Sequence, residues 1–261
     1  MITSDDVRFD DGSCPASARS PNGFVCGVVE GFYGRPWTFE QRKHLFSRLN
    51  RLGLNTYVYA PKDDLKHRPQ WRIPYNNEET DILKSLIESA KANKITFVYS
   101  LSPGIDIVYS KIEDVICVKS KFDQISVANE VYEYLGRPLF LFCPTEYCES
   151  RAVPSLADSE YLLQLGKELN ENIRVLWTGR PVALKNEISG LLMNPNCKYE
   201  LNFVPLRTFA DWNASTQDAP FNGQYVCHFK GIFCPACFYG PSSSYSIVCN
   251  IFTCFAVNSL D

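Results

Sequence analysis

Short apolar runs alternate with segments of helical spacing along most of the chain. Apolar residues that recur every three or four positions predict a helix from Thr38 to Gly53, one from Asn77, one from Ser126 to Leu135 and one from Ser159 to Leu169. Alternation of this kind is typical of a parallel sheet covered by helices, with functional loops after the strand C-termini. The runs that predict strands are Phe24 to Glu30, Leu54 to Ala60, Ile95 to Leu101, Pro138 to Cys143, Ile173 to Trp177 and Tyr199 to Val204.

The composition fits one large domain and argues against nucleic-acid and membrane partners. The chain has 261 residues, 45% of them hydrophobic, with a formal net charge of -3. This is enough apolar material for one sizeable core. Because no dense basic block is present, neither nucleic acid nor an anionic membrane is expected as a partner. The first residues lack a signal-peptide pattern, and no apolar stretch approaches the roughly 20 residues that span a bilayer.

The two ends of the chain differ from its middle. Residues 1–22 are polar and predict a flexible leader, order is expected over 23–213, and residues 214–261 form a Cys- and Phe-rich tail without a clear period. The eleven cysteines follow no disulfide framework, so reduced thiols are expected. Cys234 and Cys237 could be half of a zinc site, but no second ligand pair follows. The cysteine pattern therefore does not predict a metal site.

The run VCGVVEGFYGRPW, from Val25 to Trp37, ends a strand in a carboxylate, glycines and aromatic residues. Glycines allow a close backbone approach to a ligand, and aromatic faces pack against pyranose rings. Glu30 at the strand end is either a catalytic carboxylate or a residue that fixes the loop by accepting backbone hydrogen bonds. The run predicts a sugar-binding mouth.

Other candidate polar residues follow two later strands. Asp63 and Asp64 suggest paired carboxylates for general acid chemistry, but the basic residues around them make a salt-bridged loop the simpler interpretation. The same two alternatives apply to Glu146. Lys62 could donate to a sugar hydroxyl or be an ordinary surface lysine. No histidine lies in a pattern that would build a hydrolase triad.

Three motifs together resemble glycoside hydrolase family 84. They are the run from Val25 to Trp37, YVYAPKDD from Tyr57 to Asp64, and FCPTEY from Phe142 to Tyr147, and the similarity continues in colinear blocks from Gly23 to Trp212. The resemblance implies a (β/α)8 TIM-barrel-type catalytic domain over residues 23–213. It also implies removal of N-acetylglucosamine from Ser and Thr of intracellular proteins by substrate-assisted retaining hydrolysis, without a cofactor.

The resemblance assigns roles to individual positions. It implies that Gly31 contacts the sugar through its backbone, Lys62 binds sugar hydroxyls, Tyr147 holds the acetamido group and Asn194 donates to the sugar. The pocket-shaping residues it implies are Glu30, Tyr33 and Cys143. The family's cytoplasmic and nuclear location is implied with it, while the oligomeric state is left open.

The family's paired catalytic Asp residues have no counterpart in this sequence. A strand ending in a Phe-Asp-Asp-Ile-Asp type motif is expected between Gln124 and Ser126, where the chain runs on directly, and a second family strand is missing near residues 180–187. The sequence therefore predicts an incomplete barrel without two family strands, and severely reduced activity. The alternative is a catalytically inactive remnant that binds O-GlcNAc-modified proteins.

Overall fold

A computed structural model describes residues 23–102, 122–177, 188–214 and 253–256 of the chain. Its strands are β1 (Val25–Glu30), β2 (Thr56–Tyr59), β3 (Thr96–Leu101), β4 (Phe140–Phe142), β5 (Arg174–Val175), β6 (Gly190–Met193) and β7 (Thr253–Ala256). Its helices are α1 (Phe39–Arg51), α2 (Asn77–Ala92), α3 (Asp123–Tyr134), α4 (Glu160–Glu168) and α5 (Phe203–Ala214). The leader, residues 180–187 and most of the tail lie outside the described residues.

Local sequence signals set the helix starts. Thr38 caps α1 through a capping box with Gln41, and Asn76 caps α2 through the same arrangement with Glu79. Ser159 accepts a hydrogen bond from the backbone of Leu162 at the start of α4. The helices predicted from periodicity are confirmed, with bounds that shift by up to three residues.

The strands form one sheet in the order β5-β4-β7-β3-β2-β1-β6. All its described ladders are parallel except those of β7, which runs antiparallel to both β3 and β4. Parallel neighbours joined through helices place their C-terminal ends at one edge of the sheet, which brings the loops after β1, β2, β4 and β6 to that edge. The α/β class predicted from the sequence is confirmed.

Alternate residues of the strands pack on opposite faces. On the outer face, Cys26, Val28, Tyr57 and Phe97 pack against α1, α2 and α5 in the larger core cluster. A smaller cluster on the inner face is formed by Val58, Ala60, Val98, Leu141, Cys143 and Tyr147. Strands β1, β2 and β4 are therefore buried on both faces, which explains their continuous apolar runs.

The sixth predicted strand is wrong. Tyr199–Asn202 forms a 3-10 turn that leads into α5, and the buried residues of α5 are Leu206, Phe209, Ala210 and Asn213. Their spacing is helical, and the aromatic and apolar residues before them were mistaken for a strand. The sixth strand of the described sheet is instead β6, which pairs with β1 on the side opposite β2. Its four residues are only half-buried and give a weak sequence signal.

Gly27 in β1 is required by the close approach of β2. A Cβ at this position would lie 1.7 Å from the backbone oxygen of Thr56, whereas a Cβ at Gly166 in α4 would meet no atom within 4 Å. We expect Gly27→Ala to lower the free energy of unfolding by about 1–3 kcal/mol or more, and Gly166→Ala to raise it by about 0.5–1 kcal/mol. Urea unfolding of both variants checks this, and equal effects would contradict it.

Candidate active site

Gly31 and Asn194 meet at the C-terminal edge of the sheet. They follow β1 and β6, which are parallel neighbours, and the backbone N–H of Gly31 donates to Oδ1 of Asn194 at 3.2 Å. A Cβ on Gly31 would lie 3.6 Å from the same oxygen. The hydrogen bond uses the amide oxygen of Asn194 and so directs its NH2 group away from Gly31.

Lys62 and Tyr33 lie together in the loops after β2 and β1. The Lys62 ammonium is 5.6 Å from the centroid of the Tyr33 ring, and Tyr33 is 58% exposed. The guanidinium of Arg68 donates to the carbonyl of Lys62 at 3.1 Å, which holds the loop that carries this lysine. A cation, an accessible aromatic ring and the Asn194 amide therefore occupy one edge of the sheet.

Cys143 and Tyr147 follow β4 and are both buried in the inner cluster. The Arg151 guanidinium lies 4.8 Å from the centroid of the Tyr147 ring. These two positions thus form part of the inner wall of the sheet, beside Ala60 at the end of β2.

Two of the aromatic residues after β1 have a structural role. Phe32 and Trp37 pack against each other at 5.0 Å and join the outer core cluster, where Trp37 also contacts Tyr199. Of the three aromatic side chains in this run, Tyr33 alone is exposed enough to face a ligand.

Glu30 is fully buried on the outer face of the sheet. Its carboxylate accepts two hydrogen bonds from the Arg42 guanidinium, at 2.8 and 2.9 Å, and another from the Tyr57 hydroxyl. Burial would lower the pKa of Arg42, but the hydrogen bonds to Glu30 raise it above its ordinary value. Burial, together with the Glu30 charge, raises the pKa of Tyr57. This geometry favours the loop-fixing alternative for Glu30.

Asp64 is also engaged in structure. The hydroxyls of Tyr59 and Tyr75 each donate to its Oδ2 at 2.8 Å, and the backbone of Lys66 donates to Oδ1. Burial and the Asp64 charge raise the pKa of Tyr59. Asp63, by contrast, is exposed, so the two adjacent carboxylates do not form a close acidic pair of the kind considered from the sequence.

Glu146 is buried beneath the loop that follows β4. The Ser159 hydroxyl donates to its Oε2 at 2.5 Å, and the backbone N–H of Val153 donates to the same atom at 3.4 Å. Since Ser159 also caps α4, Glu146 ties the loop to that helix. The position is structural, like those of Glu30 and Asp64.

The role of Arg42 was not predicted from the sequence. Its position among Phe39, Leu45, Phe46 and Leu49 on the apolar face of α1 was a usable signal, because a charged residue on a buried face requires a buried partner. Asn55 was also missed: it accepts from the backbone of Cys26 and donates to the carbonyl of Phe24, joining β1 to the start of β2.

A cavity of about 320 Å³ lies on the outer side of the β2 loop, lined by Tyr59, Asp64, Tyr75 and residues of α1 and α2. Neither Gly31, Lys62 nor Asn194 lines it.

Within the described ranges, no group of three or more His, Cys, Asp or Glu side chains is arranged to hold a metal. Cys234 and Cys237 lie outside those ranges. No helix in the described part of the chain is long and apolar enough to cross a membrane.

His67 gives the β2 loop a pH dependence. It is fully buried, with Nε2 2.6 Å from the carbonyl oxygen of Pro61, and burial lowers its pKa to about 4. In the unfolded chain a histidine has a pKa near 6.5. Between pH 6.5 and 4, the unfolded state therefore binds more protons at this residue than the folded state does. The free energy of unfolding therefore has its full contribution from neutral His67 above pH 6.5, and this contribution decreases as the pH falls towards 4.

We expect His67→Asn to remove part of this pH dependence, visible as a shallower loss of unfolding free energy between pH 7 and 4.5 in urea titrations. The His44→Asn variant on α1 is the comparison: the pKa of His44 is also lowered by burial, but that side chain is exposed, so a smaller change of slope is expected than for His67→Asn. Parallel pH profiles for wild type and His67→Asn would contradict the prediction.

The fold and the site define a class of protein: an α/β protein with a mainly parallel sheet whose strand C-termini carry a polar and aromatic mouth. The family model for beta-N-acetylglucosaminidase matches residues 26–135 and 124–185. The chain belongs to this family, and its resemblance to glycoside hydrolase family 84 is confirmed.

Two curated relatives are the protein O-GlcNAcases of Rattus norvegicus and Mus musculus. They are 37% and 36% identical over 278 residues, which covers 75% of this chain. The chain spans 30% of the length of these relatives.

Two solved structures are similar. A mutant of the Thermobaculum terrenum O-GlcNAc hydrolase has a TM-score of 0.63 and 27% identity, covering 73% of this chain and 59% of its own. CpGH84B has a TM-score of 0.66 and 25% identity, covering 77% and 50%. The observed sheet and helices are consistent with the (β/α)8 barrel expected for the family.

Proposed function

We propose that this chain binds N-acetylglucosamine on Ser and Thr of proteins, at the mouth formed after β1, β2, β4 and β6. The reaction associated with the site is substrate-assisted retaining hydrolysis, as in protein O-GlcNAcase. The observation that carries the proposal is the convergence of Gly31, Lys62 and Asn194, which come from three strand ends of one sheet edge. The Lys62 ammonium group and the NH2 group of Asn194 are donors suited to the hydroxyls of a sugar, and Gly31 leaves room for the sugar to approach the backbone.

Each residue has a role in this proposal. Lys62 and the NH2 group of Asn194 donate to sugar hydroxyls, Gly31 allows close backbone approach, and Tyr147 holds the acetamido group. Tyr33 lies against the exposed side of the ring, and Cys143 lines the inner wall. Glu30 acts through Arg42, by fixing the strand end that carries Gly31.

We further propose that the barrel is incomplete and that hydrolysis is strongly reduced. The alignments to the rat and mouse relatives extend over 278 residues, more than the whole of this chain, although only 75% of the chain takes part. Segments of those relatives therefore have no counterpart here. The family model also matches in two pieces that overlap at residues 124–135, which is where the strand with the Asp pair is missing from the sequence.

A second candidate function is binding without hydrolysis. It is favoured by the state of three carboxylates near the mouth: Glu30, Asp64 and Glu146 each accept several hydrogen bonds from neighbouring structure. None is placed to exchange protons with a substrate at the mouth. The ligands are then O-GlcNAc-modified proteins of the cytoplasm and nucleus, with neither nucleic acid nor membrane as a partner.

We expect an N-acetylglucosamine thiazoline to raise the melting temperature of the purified chain, and Lys62→Gln to weaken its binding by about 10-fold or more, because hydrogen bonds from a charged donor contribute about 1.5–3 kcal/mol. Lys84→Gln, at an exposed position of α2, is the matched control and is expected to bind like the wild type. Isothermal titration gives the affinities. Equal binding by both variants, or none by the wild type, would contradict the proposed sugar site.

A further inference from the structure

The C-terminal strand β7 lies between β3 and β4. Its residues Thr253 to Ala256 pair with Leu101 to Val98 of β3, and Thr253 to Phe255 pair with Phe142 to Phe140 of β4. It is the one antiparallel strand in the described sheet, and it comes from the end of the chain. Its position therefore does not follow from the alternation of strands and helices that places the other six.

In the described sheet, β7 joins two groups of strands that share no ladder. One group is β3-β2-β1-β6, and the other is β4-β5. Gly31, Lys62 and Asn194 follow strands of the first group, while Cys143 and Tyr147 follow β4 of the second. The inner cluster also packs the two groups together. A strand ladder, however, determines which residues lie opposite each other, and apolar packing does not.

We propose that the edges of β3 and β4 form a strand-binding slot, that the chain's own C-terminal strand occupies it, and that this pairing aligns the two halves of the sugar mouth. The inference rests on the proposed function for the location of the mouth. Edge strands present unpaired N–H and C=O groups, and an extended segment that pairs with two edges at once satisfies both rows.

Occupation within one molecule is favoured by chain connectivity. Residues 215–252 connect α5 to β7, and a segment of this length can extend to at most roughly 125 Å, which is ample to reach the slot. A tethered strand has an effective concentration in the millimolar range. A second copy at ordinary protein concentrations competes poorly with it.

The reversed direction of β7 has a chemical consequence. Its first residue, Thr253, pairs with Leu101 and Phe142 at the edge where the mouth lies. The sequence contains no Asp or Glu from residue 219 to residue 260, so the segment that fills the slot brings no carboxylate to that edge. The strand completes the sheet without restoring an acid/base, which deepens the proposal of binding with reduced hydrolysis.

A register-specific crosslink in the full chain tests the slot. Ser100 of β3 is the partner of Cys254, and paired Cα atoms of antiparallel strands lie about 4.5–5.5 Å apart, within the range that a disulfide spans. Under mild oxidation, Ser100→Cys is expected to form a disulfide with Cys254 inside one molecule. The matched control is Thr96→Cys, four residues away on β3 and roughly 13 Å further along the strand, which is expected not to link to Cys254.

Peptide mass spectrometry after digestion identifies the linked cysteines, and gel mobility separates links within one molecule from links between two. The link from position 100 to Cys254 within one molecule supports the proposal. Links between molecules, equal linking from position 96, or no link from position 100 would each overturn it.

The functional part is tested by Cys254→Pro, which removes a backbone donor from the middle of β7, against Cys254→Ala, which keeps it. Thiazoline affinity is expected to fall at least 10-fold in the Pro variant and to stay within about 2-fold in the Ala variant; equal affinities would overturn the alignment role. If Ser100→Cys forms the crosslink but the wild type binds no thiazoline, the slot stands and the proposed sugar site fails. If the wild type binds thiazoline but Ser100→Cys forms no crosslink, the slot fails alone.

Discussion

The purified chain is expected to hydrolyse a chromogenic N-acetyl-β-glucosaminide about 10²–10⁴ times more slowly than an intact family enzyme such as the unmutated Thermobaculum terrenum hydrolase. The expectation rests on the proposed absence of the family's Asp pair, because general acid and base catalysis by a positioned carboxylate contributes a factor of this size. The acetamido group of the substrate can still attack the anomeric carbon, but the leaving oxygen then departs without a proton donor. Initial rates of both enzymes, measured side by side at saturating substrate, check the prediction.

Thiazoline binding on the same sample separates a folded but slow enzyme from a misfolded one. A rate close to that of the intact enzyme would contradict the prediction and require another carboxylate. Asp63 is then the first to replace with Asn, since it is exposed in the loop that carries Lys62, whereas Asp64 is held by two tyrosine hydroxyls. If the prediction of slow hydrolysis holds, Asp63→Asn is expected to leave both the rate and the thiazoline affinity unchanged.

Replacing Arg42 with Met is expected to lower the free energy of unfolding by about 3–5 kcal/mol, because it leaves the Glu30 carboxylate buried without its cation. The Arg42 guanidinium also lies 5.4 Å from the centroid of the Tyr59 ring, a contact that the Met side chain replaces only in part. Because Glu30 directly precedes Gly31, the variant is also expected to weaken thiazoline binding.

The double variant Glu30→Gln with Arg42→Met is expected to be less destabilised than Arg42→Met alone, since no uncompensated charge remains. Glu133→Gln is the control at an exposed ion pair, where the loss of the contact with Arg137 is expected to leave the free energy of unfolding almost unchanged. Guanidinium denaturation of the four proteins gives the comparison. A similar loss for Arg42→Met and Glu133→Gln would contradict a dominant buried pair.

Elements with a strong local signal could be predicted from the sequence. The caps Thr38 and Ser159 and the apolar periodicity set the helices, while continuous apolar runs marked β1 to β5. The weak strand β6 was missed because its residues are only half-buried and its first residue is Gly190, which has no side chain to contribute to the pattern. Gly31, Lys62, Tyr147 and Asn194 were identified by resemblance, and their assignment to a sugar site stays a prediction.

By itself, the sequence determined the α/β class and the family, because these depend on periodicity and on motifs that are contiguous in the chain, while the absence of the family's Asp pair stays a prediction. Only the tertiary structure decided which carboxylates are available for chemistry. Glu30, Asp64 and Glu146 look alike in the sequence, and their partners Arg42, Tyr75 and Ser159 are 11 to 13 residues away. The structure also decided what fills the space between β3 and β4, since a strand pairs through backbone groups that every residue carries, and its partner therefore cannot be read from side-chain patterns.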